Sequence, residues 1–176
     1  MSALITAAQW NNYLGATGSL EYLYDRLIIV RKTANEIVNN SATLQNDDHL
    51  LLAIAANEIW FIDVRLLLNA ASVNADWKFG WSVPTNCTLY WGFIGHDLTS
   101  WPWRETALAD SPPLLRIATD TVNCGARIGI HGVMLNAVAI NSANAGNINL
   151  QWSQSTATAE DNTILANSFL IAHKIG

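Results

Sequence analysis

The residues that could do chemistry are few and scattered. Four histidines, His49, His96, His131 and His173, stand on separate segments without the short His or Cys spacings that build a metal site. His96 precedes Asp97, but neighbours in an extended chain point to opposite faces, so the two do not form a base and its orienting acid. Asp47-Asp48 and Glu160-Asp161 place paired acids beside apolar runs. Such a pair can bind Ca²⁺ weakly; both pairs read instead as solvated turn acids. A glycosidase needs two carboxylates facing one another across a sugar, and no spacing pairs any two of these acids. No Gly-x-Ser-x-Gly elbow, Gly-x-Gly-x-x-Gly turn or phosphate loop occurs. The chain therefore reads as a non-enzyme, with no catalytic, cofactor-binding or metal-ligating residues assigned and no cofactor expected.

What would then need positioning is surface. The chain has 176 residues, enough for one domain that buries roughly 70% of its unfolded surface without help from disulfides. Only 13% of its residues are charged while 51% are apolar, against about 25% charged in an average soluble domain. So apolar a chain implies that part of its surface is covered by something else. Its eight Trp point the same way, because Trp is enriched where surfaces meet. A net charge of −5 argues against nucleic acid and anionic membrane as partners. Cys87 and Cys124 sit in apolar segments and read as reduced thiols, with a bridge between neighbouring strands left open. The first residues carry no basic stretch ahead of a long apolar run. No segment approaches the length of a membrane span. A soluble chain made in a cytoplasm is expected.

Two kinds of element follow one another. Residues 1–30 read as a helical anchor. Thr6 and Gln9 fit a capping box, and Trp10, Tyr13, Thr17, Leu20, Tyr24 and Leu27 recur at spacings of three and four. Gly15 and Gly18 weaken that helix by roughly 1 kcal/mol each, so it must dock on its own domain, a sister chain or another protein. Residues 31–176 change to period 2. Strands are predicted at 32–38, 48–54, 58–68, 77–83, 88–94, 114–119, 126–136, 147–155 and 163–174, with turns rich in Asn, Ser, Gly and Pro between them. The fold expected is mainly β, an antiparallel jelly-roll sandwich behind a short N-terminal helix. Trp77, Phe79, Trp81 and Val83 should share one face of their strand, as should Ile148, Leu150 and Trp152. The run 58–68 is apolar on both faces except at Asp63 and Arg65, which fits a central strand or a subunit contact. Residues 96–113 form a long loop in which Trp101, Trp103 and Arg104 have the character of interface hot spots. Rings folded back to cap the sandwich are the alternative.

Several motifs carry a family resemblance. Leu4-Ile5-Thr6-Ala7-Ala8-Gln9-Trp10-Asn11-Asn12-Tyr13, followed by the stretch from Leu20 to Leu27, resembles the N-terminal helix of small tailed-bacteriophage virion proteins. Asn46-Asp47-Asp48-His49-Leu50, Ala55-Ala56-Asn57-Glu58-Ile59-Trp60, Asp76-Trp77-Lys78-Phe79 and Val83-Pro84 are similar to successive strand motifs of the same proteins. Leu150-Gln151-Trp152-Ser153-Gln154-Ser155 and Ser168-Phe169-Leu170-Ile171-Ala172 resemble their final hairpin. The resemblance runs in order along most of the chain, apart from the Trp-rich loop.

What the resemblance implies is a trimeric jelly roll of the tumour-necrosis-factor type, located in a virion. A capsid decoration protein or head fibre is expected, with self and the major capsid protein or other virion proteins as partners. Trp10, Tyr13, Leu20, Tyr24 and Leu27 would then anchor or trimerise; Trp101, Trp103 and Arg104, in the loop outside the resemblance, are the candidate partner contact on their residue types alone. A tail-tip or tail-fibre module that recognises a host surface glycan is the alternative, because exposed Trp rings stack on sugars.

Overall fold

Alternation of buried and exposed residues governs the chain wherever it is extended. The computed structural model describes residues 26–95 and 115–176. Among the described residues there is no helix, and the strands are β1 (Leu27–Arg31), β2 (Glu36–Val38), β3 (Gln45–Ile54), β4 (Ile59–Ala70), β5 (Trp77–Ser82), β6 (Thr88–Ile94), β7 (Arg116–Ile117), β8 (Val122–Cys124), β9 (Gly129–Ile140), β10 (Gly146–Gln154), β11 (Asn162–Ile164) and β12 (Phe169–Lys174).

The strands form two antiparallel sheets. The larger runs β1-β12-β4-β9-β6-β7, with β11 on the far part of β4 and β2 beside β11. The smaller runs β3-β10-β5-β8. From β3 to β6, each strand lies in the other sheet from the one before it, which keeps sequence neighbours on opposite sides of one core.

That core is aromatic. Trp77 stacks on Phe79 with ring centroids 6.1 Å apart, Trp152 leans on Trp77 at 5.6 Å, and Trp91 meets Trp81 edge-on at 6.4 Å. Aliphatic side chains from the large sheet, among them Ile62, Val64 and Leu135, close the other wall. Of the inward sets expected, Trp77, Phe79 and Trp81 on β5 and Ile148, Leu150 and Trp152 on β10 are buried, while Val83 lies past the end of β5 and is half-buried. The expectation that Trp marks contact surface fails for Trp60, Trp77, Trp81, Trp91 and Trp152, all of them buried. A sandwich with few charges needs volume between its layers, and Trp supplies the most per residue.

Asn sets the corners. Asn40, Asn57, Asn86 and Asn167 take positive φ, between 50° and 71°. Asn tolerates this left-handed region better than other side chains do.

Other expectations need correction. The helix assigned to residues 1–30 lies outside the described residues up to residue 25, but Leu27 is the first residue of β1 and pairs with His173. The run Leu27-Ile28-Ile29-Val30 is β-favouring, and β12 offers it an edge, so the sheet starts within the segment read as helical. Of the strand expected at 32–38 only β2 is found; residues 32–35 connect it to β1, which ends at Arg31, just before Lys32 turns inward. The strand expected at 163–174 is also two, broken by Asn167. β8 was not anticipated, since three residues are too few to show a period.

Candidate functional site

The outer face of the large sheet is the feature that stands apart. Register lines its outward side chains into rows. One row runs Leu27, His173, Phe61, Val138, Tyr90 and Ile117 across the sheet. The next runs Ile29, Ile171, Asp63, Asn136 and Gly92, and a third runs Arg31, Phe169, Arg65, Met134 and Ile94. Ile29 is 63% exposed, Phe61 43% and Ile94 44%. Asp63, Arg65, His173, Asn136 and Arg31 interrupt the apolar surface, and Asp63 and Arg65 hold each other at 2.9 Å. Beside them an open groove of about 510 Å³ is lined by Leu66, Leu67, Ile94, Val133 and Met134.

The small sheet is the opposite. Its outward positions include Asn46, Ser82, Asn149 and Gln151, which bond to one another. Asn149 Nδ2 donates to Ser82 Oγ at 2.8 Å, and Gln151 Nε2 donates to Asn46 Oδ1 at 2.9 Å. An antiparallel sheet with one solvated face needs polar residues there, and the small sheet has them. The large sheet lacks them over most of its outer face, and contiguous apolar surface of that kind marks a contact.

A second cluster lies inside. Ile28 and Val30 point inward from β1, and the next inward position is Lys32, with no exposure at all. Its Nζ is 2.6 Å from Glu36 Oε2 and 2.7 Å from Asp47 Oδ2. A β-bulge delivers Asp47. Asn149 faces Leu51 while Gln151 faces Asn46, so residues 47–50 of β3 stand opposite Leu150 alone. The excess chain folds on itself, and Asp47 Oδ1 accepts the backbone N–H groups of His49 and Leu50 at 2.9 and 2.8 Å. Glu36 Oε1 accepts from Trp152 Nε1 at 3.1 Å and Gln45 Nε2 at 3.2 Å, while Oε2 also takes the Asp48 N–H at 3.0 Å. His49 Nε2 meets Thr33 Oγ at 3.1 Å at the rim of the cluster. Ligand atoms of Glu36, Asp47 and His49 lie within 4.8 Å of one another, but the Lys32 ammonium already stands as the cation between the two carboxylates.

This overturns the reading of Asp47-Asp48 as solvated turn acids. Asp48 is exposed, but Asp47 is buried and charge-paired. Sequence reasoning also missed Lys32 and Glu36. The available signal was a Lys at an inward position of an apolar alternating run, which only a buried acid could balance.

Of the expected contact residues, Leu27 lies on the first row of the apolar face and is half exposed. Trp10, Tyr13, Leu20 and Tyr24, and the loop residues Trp101, Trp103 and Arg104, lie outside the described residues. Glu160-Asp161 is exposed, as expected for turn acids. Cys87 and Cys124 are not joined in a disulfide. On the small-sheet side a cleft of about 430 Å³ is lined by Trp81, Ser82, Asp120, Thr121 and Gln151. Among the described residues no helix is long and apolar enough to cross a membrane.

No protein-family model matches this chain, and no curated protein matches it. Among solved structures it is similar to a chain of infectious bursal disease virus, Gx strain, at 14% identity and a TM-score of 0.23. It is also similar to a chain of the Gt strain at 11% identity and the same TM-score. Each match covers 85% of this chain and 41% of the viral one, so the chain spans about two fifths of the length of those it matches. At that distance the functional reading rests on the sheet face and the buried cluster themselves.

Proposed function

We propose that this chain is a structural protein that assembles with copies of itself through the outer face of its large sheet. The observation that carries the reading is the contrast between the two outer faces. Rows containing Leu27, Phe61 and Tyr90, and Ile29 and Ile171, face outward on one side, while the other side is a bonded polar lattice. Obligate contacts are more apolar than ordinary surface and commonly bury about 2,000 Å² or more. A face of several strands supplies an area of that order.

The finer reading is a trimeric jelly roll of the tumour-necrosis-factor type in a tailed-bacteriophage virion. It serves as a capsid decoration or head-fibre protein on the head and has no catalytic role. Two things support it. The sequence motifs resemble those of such virion proteins along most of the chain. The strand orders β1-β12-β4-β9 and β3-β10-β5-β8 are those of two interlocked Greek keys, with β6 and β7 added at one edge. In that role the partners are sister chains and the major capsid protein, the site of action is the virion, and neither nucleic acid nor membrane is bound. A second reading is a tail-fibre module for a host glycan. The cleft lined by Ser82, Asp120, Thr121 and Gln151 favours it, because these side chains offer polar partners to sugar hydroxyls; Trp81 in its wall is buried.

The test is solution mass by light scattering, with the wild-type chain beside Phe61→Asp/Tyr90→Asp. Three times the chain mass for the wild type and a folded single chain for the variant are expected. A wild type that stays a single chain at all concentrations would defeat self-assembly through this face. Hundreds of copies per particle would favour decoration, and a handful would favour the tail.

A further inference from the structure

We propose that Lys32 and Asp47 become joined by an amide bond between Nζ and Cγ, formed by the folded protein itself with Glu36 as proton relay. The geometry brings a nucleophile, an acyl group and a relay together in a place closed to water. Lys32 has no exposure, and the side chain of Asp47 has none either. Nζ already touches Asp47 Oδ2 at 2.7 Å, so the carbon to be attacked is one bond further on.

The hydrogen bonds divide the roles. Asp47 Oδ1 is held by two backbone N–H groups, those of His49 and Leu50. Paired backbone donors of this kind stabilise the oxyanion of a tetrahedral intermediate. Oδ2 faces the amine instead, so it is the oxygen placed to leave. Glu36 is fixed by Trp152 and Gln45 on Oε1, which turns Oε2 toward Nζ at 2.6 Å. Glu36 Oε1 lacks the paired backbone donors of Asp47 Oδ1, which makes Glu36 the relay rather than the acyl group.

The step balances without a co-reactant. Lys32 starts as the ammonium and Asp47 as the carboxylate. Glu36 Oε2 accepts one ammonium proton, and the freed nitrogen lone pair attacks Asp47 Cγ. The new C–N bond forms as negative charge moves to the oxygens. A second nitrogen proton and the one held by Glu36 pass to Oδ2, the C–Oδ2 bond breaks, and one water leaves. One hydrogen stays on the amide nitrogen, and Glu36 ends as it began. Nothing is oxidised or reduced. Two buried charges are replaced by one neutral amide; Glu36 loses the ammonium it faced but keeps the N–H donors of Trp152, Gln45 and Asp48. Exclusion of bulk water also suppresses the reverse hydrolysis.

Mass spectrometry of the full chain tests this. The intact wild type is expected one water lighter than its sequence, and a digest should contain a branched peptide linking Lys32 to Asp47. Lys32→Arg and Glu36→Gln should restore the full sequence mass. Asp47→Asn should still close the bond but lose ammonia instead of water. A wild-type chain at full sequence mass would overturn the proposal, and this needs no variant to fold. So would a water loss confined to an Asp47-Asp48 peptide, which is a succinimide, or a branch from Lys32 to Glu36. A Glu36→Gln chain linked as completely as the wild type would remove the relay.

Discussion

Lys32→Met is the most searching single perturbation of this fold. It deletes the cation at 2.6 and 2.7 Å from two carboxylates and leaves Glu36 and Asp47 facing each other in the core. Breaking a buried ion pair from one side costs roughly 3–5 kcal/mol, because the surviving charge keeps its burial and loses its partner. Where the amide has formed, the wild type has no Lys32–Asp47 ion pair to lose; the cost is then the closed loop, roughly 3 kcal/mol in the chain-entropy model, together with the Asp47 carboxylate that the variant leaves buried. For a chain of this size 1 kcal/mol moves the melting temperature about 2–4 °C, so the ion-pair loss alone should lower it by about 6–20 °C. The assay is urea and thermal unfolding at neutral pH, followed by far-UV and near-UV circular dichroism. A companion chain, Lys32→Met/Glu36→Gln/Asp47→Asn, removes all three charges while Asn keeps an acceptor for the His49 and Leu50 N–H groups. It should recover most of the ion-pair loss, since replacing a whole buried ion group by neutral groups is often neutral or better. A single variant within 1 kcal/mol of the wild type, or a triple variant no more stable than the single, would refute the argument that a buried, uncompensated charge governs this site.

Other expectations follow from the two faces and the edges. Leu27→Asp, on the first apolar row, should lower the mass measured by light scattering at a given concentration, in the same direction as Phe61→Asp/Tyr90→Asp; an unchanged mass would take β1 out of the contact. Burial pushes the Glu58 carboxyl up, but hydrogen bonds from Lys174, Trp60 Nε1 and the Ala55 N–H outweigh it and hold the group below its ordinary 4.5. Its stabilisation is therefore complete above that ordinary value and is lost as pH falls through the lower folded-state value. Glu58→Gln should cost roughly 1 kcal/mol at neutral pH and flatten the acid limb of a pH–stability curve. Burial pushes the Cys87 thiol up, and Cys124 is fully buried, so both should alkylate slowly in the native chain at neutral pH. Two thiols should titrate on unfolding without reductant; fewer would mean that they pair.

The large features of the sandwich were legible because they depend on periods. The strand containing Trp77, Phe79 and Trp81 alternates without a break, and so does the one containing Ile148, Leu150 and Trp152. For the run 58–68, apolar on both faces except at Asp63 and Arg65, the structure gives a central strand, β4, whose outer face carries Phe61 and Leu67 around the Asp63–Arg65 pair. The contact face as a whole was not legible, because its rows are made by register between distant strands. No local pattern states that Phe61 lies beside His173 and Val138. Asp47 misled for a related reason. A local Asn-Asp-Asp signature means a turn, and a turn is present, but it is a bulge within β3 that aims the acid inward. Leu27 belonged equally to a spacing of three and to a period of two, and its partner strand decided between them.

The pairing of β1 with β12 also has a mechanical meaning. Leu27 stands opposite His173, and Lys174 N donates to the Arg26 carbonyl at 2.8 Å, so the first and last described residues leave the sheet at the same end. A load between Arg26 and Gly176 therefore unzips one ladder bond after another and does not shear them together. The unzipping runs from Leu27 toward Arg31, and the next residue in line is Lys32, tethered inside the core. The buried cluster thus acts as a stop. A force–extension trace should show easy peeling over β1 and a sharp rise at Lys32, and the Lys32→Met chain should lose that rise.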